Sequence, residues 1–95
     1  MKIYRWSEAK NAQLKRERGI SFEEIVAAID AGYLLDVLKH RNSSRYPRQS
    51  VFVVVLRRYA YLVPFVEEPG AYFLKTIIPS RKATRDYLRT ETTDD

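Results

Sequence analysis

Four short apolar runs, separated by polar or turn-forming segments, follow Gly32 and constrain the fold more than any other feature of the sequence. They cover residues 33–38, 50–56, 59–66 and 72–78. Short runs rich in Val, Ile, Tyr and Phe and bounded by turn residues are typical of strands. The sequence therefore predicts a β-meander over its second half.

The connections between the last three runs are short. Arg57 and Arg58 fill a tight link between the second and third runs, and residues 67–70 (Glu-Glu-Pro-Gly) have ordinary turn chemistry. Short links of this kind join antiparallel neighbours. We therefore expect these three strands to pair side by side, with residues 40–49 forming a longer polar loop before them.

Two details predict the surroundings of these strands. Residues 51–56 are apolar on both faces, which indicates a strand covered by helices on one side and by more protein or an aromatic-lined groove on the other. Pro64 cannot donate a hydrogen bond to a neighbouring strand. We expect either a bulge at Pro64 or a backbone nitrogen that faces an edge.

The first part of the chain predicts one strand and a surface helix. Residues 2–6 alternate and carry aromatic side chains, and Ser7 can cap a helix that Gly19 ends. The few apolar positions of this helix indicate that it lies on the surface, with Trp6 as its anchor. These positions are Ala9, Ala12 and Leu14.

A capping box predicts the second helix. In residues 21–24 (Ser-Phe-Glu-Glu) the serine caps the helix and the second glutamate reaches back to it. Gly32 fits the left-handed position that ends such helices. Later in the chain Pro79 ends the last strand, Ser80 can cap, and residues 81–88 predict a short cationic helix.

The chain of 95 residues and 11.2 kDa is expected to form one domain, residues 1–95, of the α+β class. The N-terminal strand and its two helices would pack on the antiparallel meander, followed by the short helix and by residues 90–95 as a flexible tail. The longest apolar run is too short to cross a bilayer, and no apolar N-terminal segment suggests export. The absence of cysteine excludes disulfides and agrees with a cytoplasmic location.

The charge of the chain predicts a polyanionic partner. Lys and Arg number 17 against 12 Asp and Glu, which gives a net charge of +5 and an isoelectric point near 9.6. Residues 39–58 contain six cations and no acid, whereas Glu91, Asp94 and Asp95 lie in the last five residues. The folded body is therefore more basic than the net charge indicates.

The chain contains the groups that RNA cleavage without a metal requires. A base must take the 2′-hydroxyl proton, cations must stabilise the phosphate oxygens, and an acid must protonate the departing 5′-oxygen. His40 is the only histidine and is therefore the candidate acid or base. The candidate catalytic residues are His40, Lys75 and Arg81. The candidate substrate-binding residues from this reasoning are Arg45, Tyr46, Tyr61 and Lys82.

Lys75 stands in an otherwise apolar row, since Phe73 and Ile77 alternate with it. Three explanations are open: Lys75 lies at an edge of the sheet, it extends its ammonium group to water, or it forms part of a site. In an antiparallel meander its neighbours come from the preceding strand. Lys75 can then share a face with a ring such as Tyr61 or Phe65, on which a base can stack.

Other chemistries fit the sequence less well. The carboxylates are dispersed, and the sequence contains no metal motif, phosphate-binding glycine loop or credible Ser-His-Asp set. We therefore expect neither a metal nor another cofactor. A lone histidine in a polar loop is also compatible with no catalytic role. The same basic surface therefore fits a non-catalytic module that binds nucleic acid or an acidic partner, and a structural dimerisation protein is a third alternative.

Three segments carry a resemblance to a known family. They are residues 6–11 (Trp-Ser-Glu-Ala-Lys-Asn), 18–24 (Arg-Gly-Ile-Ser-Phe-Glu-Glu) and 78–84 (Ile-Pro-Ser-Arg-Lys-Ala-Thr). In this order and spacing they resemble the BrnT-like toxins of bacterial toxin–antitoxin pairs, and the third segment is the most specific. Family members often carry a histidine where Arg18 stands, which would leave His40 to take its place here.

The resemblance implies a small RelE-like fold and a ribonuclease activity that arrests growth by cutting RNA. It assigns Lys10, Arg81 and Lys82 to the basic surface of the toxin. It also implies a small cognate antitoxin with a ribbon-helix-helix DNA-binding part. That antitoxin would cover the toxin and repress the operon as a complex, so that the toxin meets operator DNA only through the complex.

Overall fold

The computed structural model describes residues 2–88, which form three helices and six strands. The elements are β1 (Ile3–Arg5), α1 (Glu8–Arg18), α2 (Phe22–Asp30), β2 (Leu34–Lys39), β3 (Gln49–Leu56), β4 (Tyr59–Glu68), β5 (Ala71–Leu74), β6 (Ile78–Pro79) and α3 (Arg81–Leu88). This order confirms the predicted α+β class. The expected tail at 90–95 lies outside the described residues. Among the helices that the structure describes, none is both long and apolar enough to span a membrane.

The first two helices begin and end where the sequence predicts. The Ser7 hydroxyl accepts the Lys10 amide at 3.2 Å, and Gly19 ends α1 with φ +66°, a left-handed value that glycine adopts without strain. The Ser21 hydroxyl accepts the Glu24 amide at 3.1 Å, and the Glu24 carboxylate accepts the Ser21 amide at 3.0 Å. The capping box is therefore complete.

One sheet contains all six strands. Its order is β1-β5-β4-β3-β2, and β6 pairs with β4 beside β5. The antiparallel pairing of β3, β4 and β5 confirms the predicted meander, and β2 pairs antiparallel with β3. β1 lies parallel to β5, with Ile3 opposite Ala71. This parallel pair is not predictable from local sequence, because β1 and β5 are far apart in the chain.

The predicted strand at 72–78 is broken in two. β5 ends at Leu74 and β6 begins at Ile78, and Pro64 on β4 faces the gap between them. The pairing of β4 with β3 runs through Pro64 without a bulge, and the Pro64 carbonyl accepts the Lys75 amide at 2.8 Å. Because the nitrogen and carbonyl of a residue in an antiparallel strand point the same way, the missing donor faces this gap. No bulge forms, and the Pro64 nitrogen faces the break between β5 and β6 inside the sheet and not an edge strand position, so neither expected arrangement occurs.

The sheet is covered on both faces near its centre. On one face, which we name the helical face, Phe52, Val54 and Phe65 pack against Phe22 and Ile25 of α2. Leu14 of α1 and Leu74 of β5 belong to the same core. The opposite face carries α3, where Val53 and Ala60 pack against Ala83. The middle of β3 is therefore buried on both sides, as its apolar sequence predicts.

Candidate nucleic-acid interface

α3 covers only part of the sheet face opposite α1 and α2. The rest of that face follows from the pairing register, because residues paired across strands point the same way. We name this part of the sheet the open face. Its residues are Arg5, Leu38, His40, Gln49, Val51, Pro64, Val66, Phe73 and Lys75.

The open face has an apolar floor and a charged margin. Val51, Val66 and Phe73 are half-buried there, and none of the three described helices packs on them. Arg5 lies beside Phe73 and forms an ion pair with Glu68 at 3.6 Å. An apolar floor with cations at its edge suits a ligand that carries both bases and phosphates.

Lys75 is exposed on the open face directly after β5. It lies opposite Pro64, and its side chain forms no ion pair with any residue in 2–88. The prediction that Lys75 shares a face with Tyr61 or Phe65 is wrong. Phe65 lies one residue and Tyr61 three residues from Pro64, so both rings point to the helical face. Ile77 also turns into the helical core, so the expected alternation ends at the break between β5 and β6.

The loop after β2 brings three of the candidate residues together. The rings of His40 and Tyr46 lie with their centroids 4.7 Å apart, and the Arg45 guanidinium lies 5.6 Å from the Tyr46 ring. His40 Nδ1 accepts the Asn42 amide at 2.9 Å, so the neutral imidazole carries its hydrogen on Nε2. This cluster offers a cation, an N–H donor and a partly exposed ring at one margin of the open face.

The structure does not bring His40 and Lys75 into one centre. His40 extends β2, since its amide donates to the Gln49 carbonyl at 3.1 Å, whereas Lys75 follows β5. Three strand spacings separate β2 from β5, which places the two backbones at least about 14 Å apart. The two side chains therefore start from well-separated strands and make no direct contact with each other.

Arg81 and Lys82 occupy the first turn of α3. The Ser80 hydroxyl accepts the Ala83 amide at 3.0 Å and so caps this helix, as predicted. Arg81 is exposed and forms no ion pair within the described part of the chain, whereas Lys82 pairs with Asp86 at 2.9 Å. Cations are unfavourable in the first turn because the helix dipole is positive there. Asp86 balances Lys82, whereas Arg81 has no acidic partner among the described residues.

The remaining predicted binding residues lie away from the open face. Tyr61 points to the helical face, is half-buried and packs against the core, with its ring 5.8 Å from that of Tyr59. Lys10 is half-buried on α1, in the layer on the other side of the sheet. The structure therefore separates these two residues from the face that carries Lys75.

A hydrogen bond holds α3 against the edge strand β2. The Tyr87 hydroxyl donates to the Asp36 carboxylate at 2.7 Å. This hydrogen bond lowers the pKa of Asp36 and raises the pKa of Tyr87 from their ordinary values. Between α3 and the sheet runs a groove of about 240 Å³, with Leu38 on its floor and Lys82 at its rim. The groove continues the open face up to the helix.

Sequence reasoning missed Arg5 as a member of this face. Its position depends on the parallel pairing of β1 with β5, for which no local signal exists. The only available hint was the charge of Arg5 within an otherwise aromatic strand. Within residues 2–88 no group of three or more His, Cys, Asp or Glu side chains is placed to bind a metal ion.

Comparison with known proteins identifies no relative. No family model, no curated protein and no solved structure matches the chain. The function is therefore inferred from the sequence and from the geometry of the open face.

Proposed function

We propose that the chain is a metal-independent endoribonuclease that cuts RNA on its open face, as the toxin of a bacterial toxin–antitoxin pair in the cytoplasm. The observation that supports this best is the accessible apolar floor bordered by Lys75 and Arg81, two exposed cations without ion pairs among the described residues. Single-stranded RNA binds such surfaces because cations take its phosphates and apolar or aromatic groups take its bases. The resemblance to BrnT-like toxins supports the cleavage step.

In this proposal the two cations act on phosphates. Lys75 lies opposite Pro64, and Ser80, next to Arg81, bonds to the Ala60 carbonyl at 3.0 Å. Their attachment points are thus four residues apart along β4, or about 13 Å. This span is wider than the distance between neighbouring phosphates and fits phosphates two nucleotides apart on one strand. The cation at the scissile phosphate stabilises charge as the 2′-hydroxyl gives its proton to water and attacks phosphorus, and the 5′-oxygen leaves with a proton from water.

The loop cluster acts on the neighbouring nucleotides. Arg45 and Tyr46 hold a phosphate and stack a base, and Lys82 extends the cationic rim along α3. In its neutral form His40 offers the Nε2–H to RNA as a hydrogen-bond donor, because Nδ1 already accepts the Asn42 amide. A role as general acid requires the imidazolium form. Lys10 and Tyr61 contribute only to RNA that passes around the sheet edge.

Cleavage in the presence of a chelator tests the proposal. We expect a labelled single-stranded RNA to be cut in EDTA, and Lys75→Ala and Arg81→Ala each to lower the rate at least roughly tenfold, because each removes a cation at a charged transition state. Arg16→Ala is the matched control, since Arg16 is exposed on α1 in the other layer. No cleavage, or equal rates in all three variants, contradicts the proposal.

The separation of His40 from Lys75 favours a second candidate, a basic RNA-binding module without catalysis. In that case the wild-type protein retains RNA in a salt-sensitive manner and releases no shorter product. Lys75→Ala and Arg81→Ala then weaken retention without any change in RNA length. Expression alone in bacteria gives a further distinction, because a toxin arrests growth and the Arg81→Ala variant relieves the arrest.

The proposed partner is a small antitoxin with a ribbon-helix-helix part, encoded next to this chain. It follows from the family resemblance and from the basic surface, which suits an acidic segment. Copurification of the chain with the product of an adjacent short reading frame is the direct check. Operator DNA would be bound by that complex and not by this chain alone.

A further inference from the structure

The hairpin turn between β3 and β4 consists of two strained arginines. Arg57 has φ +53° and Arg58 has φ +66°, so both lie in the left-handed region. Two-residue hairpin links of this form favour Asn-Gly, because residues with a full side chain are strained there. Strain of this kind persists where the side chains have a function. The conformation of this turn therefore indicates a function for its two guanidinium groups.

A cavity of about 670 Å³ adjoins this turn. Its volume lies in the range of small-ligand sites. Val55, Leu56 and Leu88 form apolar walls, and Arg57 and Arg58 stand at the rim. The ring of Tyr33, with 55% of the residue exposed, also lines it. A guanidinium group binds a phosphate, and an exposed aromatic ring stacks on a base. The side chains around this cavity therefore suit a nucleotide.

The two arginines are not equivalent. Arg57 forms an ion pair with Glu24 of α2, which draws its side chain toward the helical layer. Arg58 is exposed and forms no ion pair within residues 2–88. Arg58 is thus the cation that remains available to an anion, and a guanidinium binds a phosphate through two parallel hydrogen bonds.

The cavity adjoins the end of α3 at Leu88, and the hairpin turn at its rim lies near the start of the same helix. The Ser80 amide donates to the Ala60 carbonyl at 3.0 Å. Arg58 is two residues before Ala60, and Arg81 directly follows Ser80, so the two arginines approach from either side of this hydrogen bond. This places Arg58 on the route of an RNA strand that leaves the open face past Arg81 and follows α3 toward the hairpin turn.

We propose that the cavity beside the hairpin turn is a second RNA subsite, where Arg58 binds a backbone phosphate and Tyr33 stacks one base. The ligand is a nucleotide of the single-stranded RNA that flanks the part held on the open face. This inference rests on the proposed function for its ligand, but it concerns a different cavity and different residues.

RNA affinity as a function of salt tests the subsite. The probe is a fluorescein-labelled decamer of 2′-O-methyl RNA, which cannot be cut, and anisotropy gives its dissociation constant between 50 and 200 mM NaCl. Arg58→Ala is expected to raise that constant roughly five- to tenfold and to reduce the salt slope by about 0.7, the loss of one phosphate contact on a single strand. Arg58→Lys keeps the charge and the slope. Tyr33→Leu is expected to weaken binding at least roughly fivefold through lost stacking.

Thermal stability distinguishes the effect of the Arg58 side chain on RNA binding from the effect of the Arg58 backbone conformation on folding. Arg58→Gly relieves the left-handed strain, so its Tm is expected to lie about 4–8 °C above that of Arg58→Ala. Both variants lose the same guanidinium and should lose RNA affinity equally. A stabilised variant with weaker RNA binding supports the subsite and excludes partial unfolding as the cause.

Two outcomes overturn the subsite. One is an Arg58→Ala variant that loses no more affinity or salt slope than Arg16→Ala. The other is unchanged affinity in Arg58→Ala together with lower stability when Glu91, Asp94 and Asp95 are all changed to their amides, which would assign the cavity to the acidic end of this chain. Lys75→Ala in the same binding assay, with cleavage measured separately, reports on the open face, so failure here is distinguishable from failure of the proposed function.

Discussion

Replacing Asn11 is expected to damage the junction between α1 and α2 more than any exposed substitution nearby. Asn11 is 1% exposed, and both ends of its amide are used. Its oxygen accepts the Phe22 amide at 2.8 Å, and its nitrogen donates to the Glu23 carboxylate at 2.8 Å. The side chain therefore satisfies one of the free amides at the start of α2.

The magnitude follows from what Asn11→Ala leaves behind. The Phe22 amide is buried and would lose its partner, which costs about 2 kcal/mol. Glu23 loses a donor but stays hydrated, because more than half of its side chain is exposed. For a domain of this size a loss of about 2 kcal/mol lowers Tm by roughly 8–16 °C.

Urea unfolding is the assay. Trp6 is the only tryptophan, and its ring stacks on Phe22 with centroids 5.6 Å apart, so its fluorescence reports on this junction. Far-UV circular dichroism should give the same midpoint if unfolding is two-state. Ala12→Ser, at an exposed position one residue along α1, is the control and should change little. An Asn11→Ala variant within 0.5 kcal/mol of that control, roughly the scatter of neutral surface changes, would refute the reasoning.

The stability difference between wild type and Asn11→Ala is also expected to depend on pH in the acid range. The hydrogen bond from Asn11 is the largest cause of the lowered pKa of Glu23. A carboxyl with a lowered pKa stabilises the fold above its ordinary value of 4.5, and this contribution is lost as pH falls through the folded pKa. The difference in stability between wild type and Asn11→Ala should therefore narrow below pH 4.5. A difference that stays constant down to pH 2 would show that the Glu23 contact is not part of it.

Two further variants concern the attachment of helices to the sheet. Tyr87→Phe removes the donor that lowers the pKa of Asp36, so the stability difference from wild type should be present at neutral pH and shrink below about pH 3.8, the ordinary value, in urea titrations across pH. A difference that grows in acid would contradict this assignment. Arg18→Ala removes a hydrogen bond to the Ile77 carbonyl at 2.6 Å and should cost about 1 kcal/mol in the same assay, with RNA affinity unchanged. A loss of RNA binding with unchanged stability would instead give Arg18 a direct role.

Residues 6–11, one of the three segments that resemble the BrnT-like toxins, have mainly structural roles in this fold. Trp6 stacks on Phe22, the Ser7 hydroxyl caps α1, and Asn11 joins α1 to α2. These contacts explain why these residue types occur at this spacing. The first motif therefore argues for the fold more strongly than for catalysis. The segment at 78–84 is different, since it places two cations on the first turn of a helix beside an accessible face.

Elements with local signals were predictable. The caps of α1 and α2, the turn residues and the apolar runs each act within a few residues, so their physics is contained in short stretches of sequence. The double burial of β3 was predictable for the same reason, because a strand that is apolar on both faces must be covered twice. The burial of Asn11 was not predictable from the sequence, because a polar residue on a surface helix does not indicate that its side chain has two partners in the next helix.

The arrangement of the candidate site depended on strand pairing. A shift of one residue moves a side chain to the other face of a sheet. The observed register places Lys75 on the same face as Pro64, and it places Tyr61 on the helical face. The order of strands decided that His40 and Lys75 stand at opposite margins. Neither fact is encoded locally.

Local pattern and composition were thus enough to predict the α+β class, the caps, the meander and the basic character of the chain, because each arises from neighbouring residues or from simple counts. Only the tertiary structure decided that β1 joins the sheet in parallel beside β5, that the last predicted strand breaks opposite Pro64, and that α3 leaves part of one sheet face open. The physical reason is that pairing and packing are long-range. They are settled by which distant backbones and side chains bury each other best, and a short window of sequence does not contain both partners.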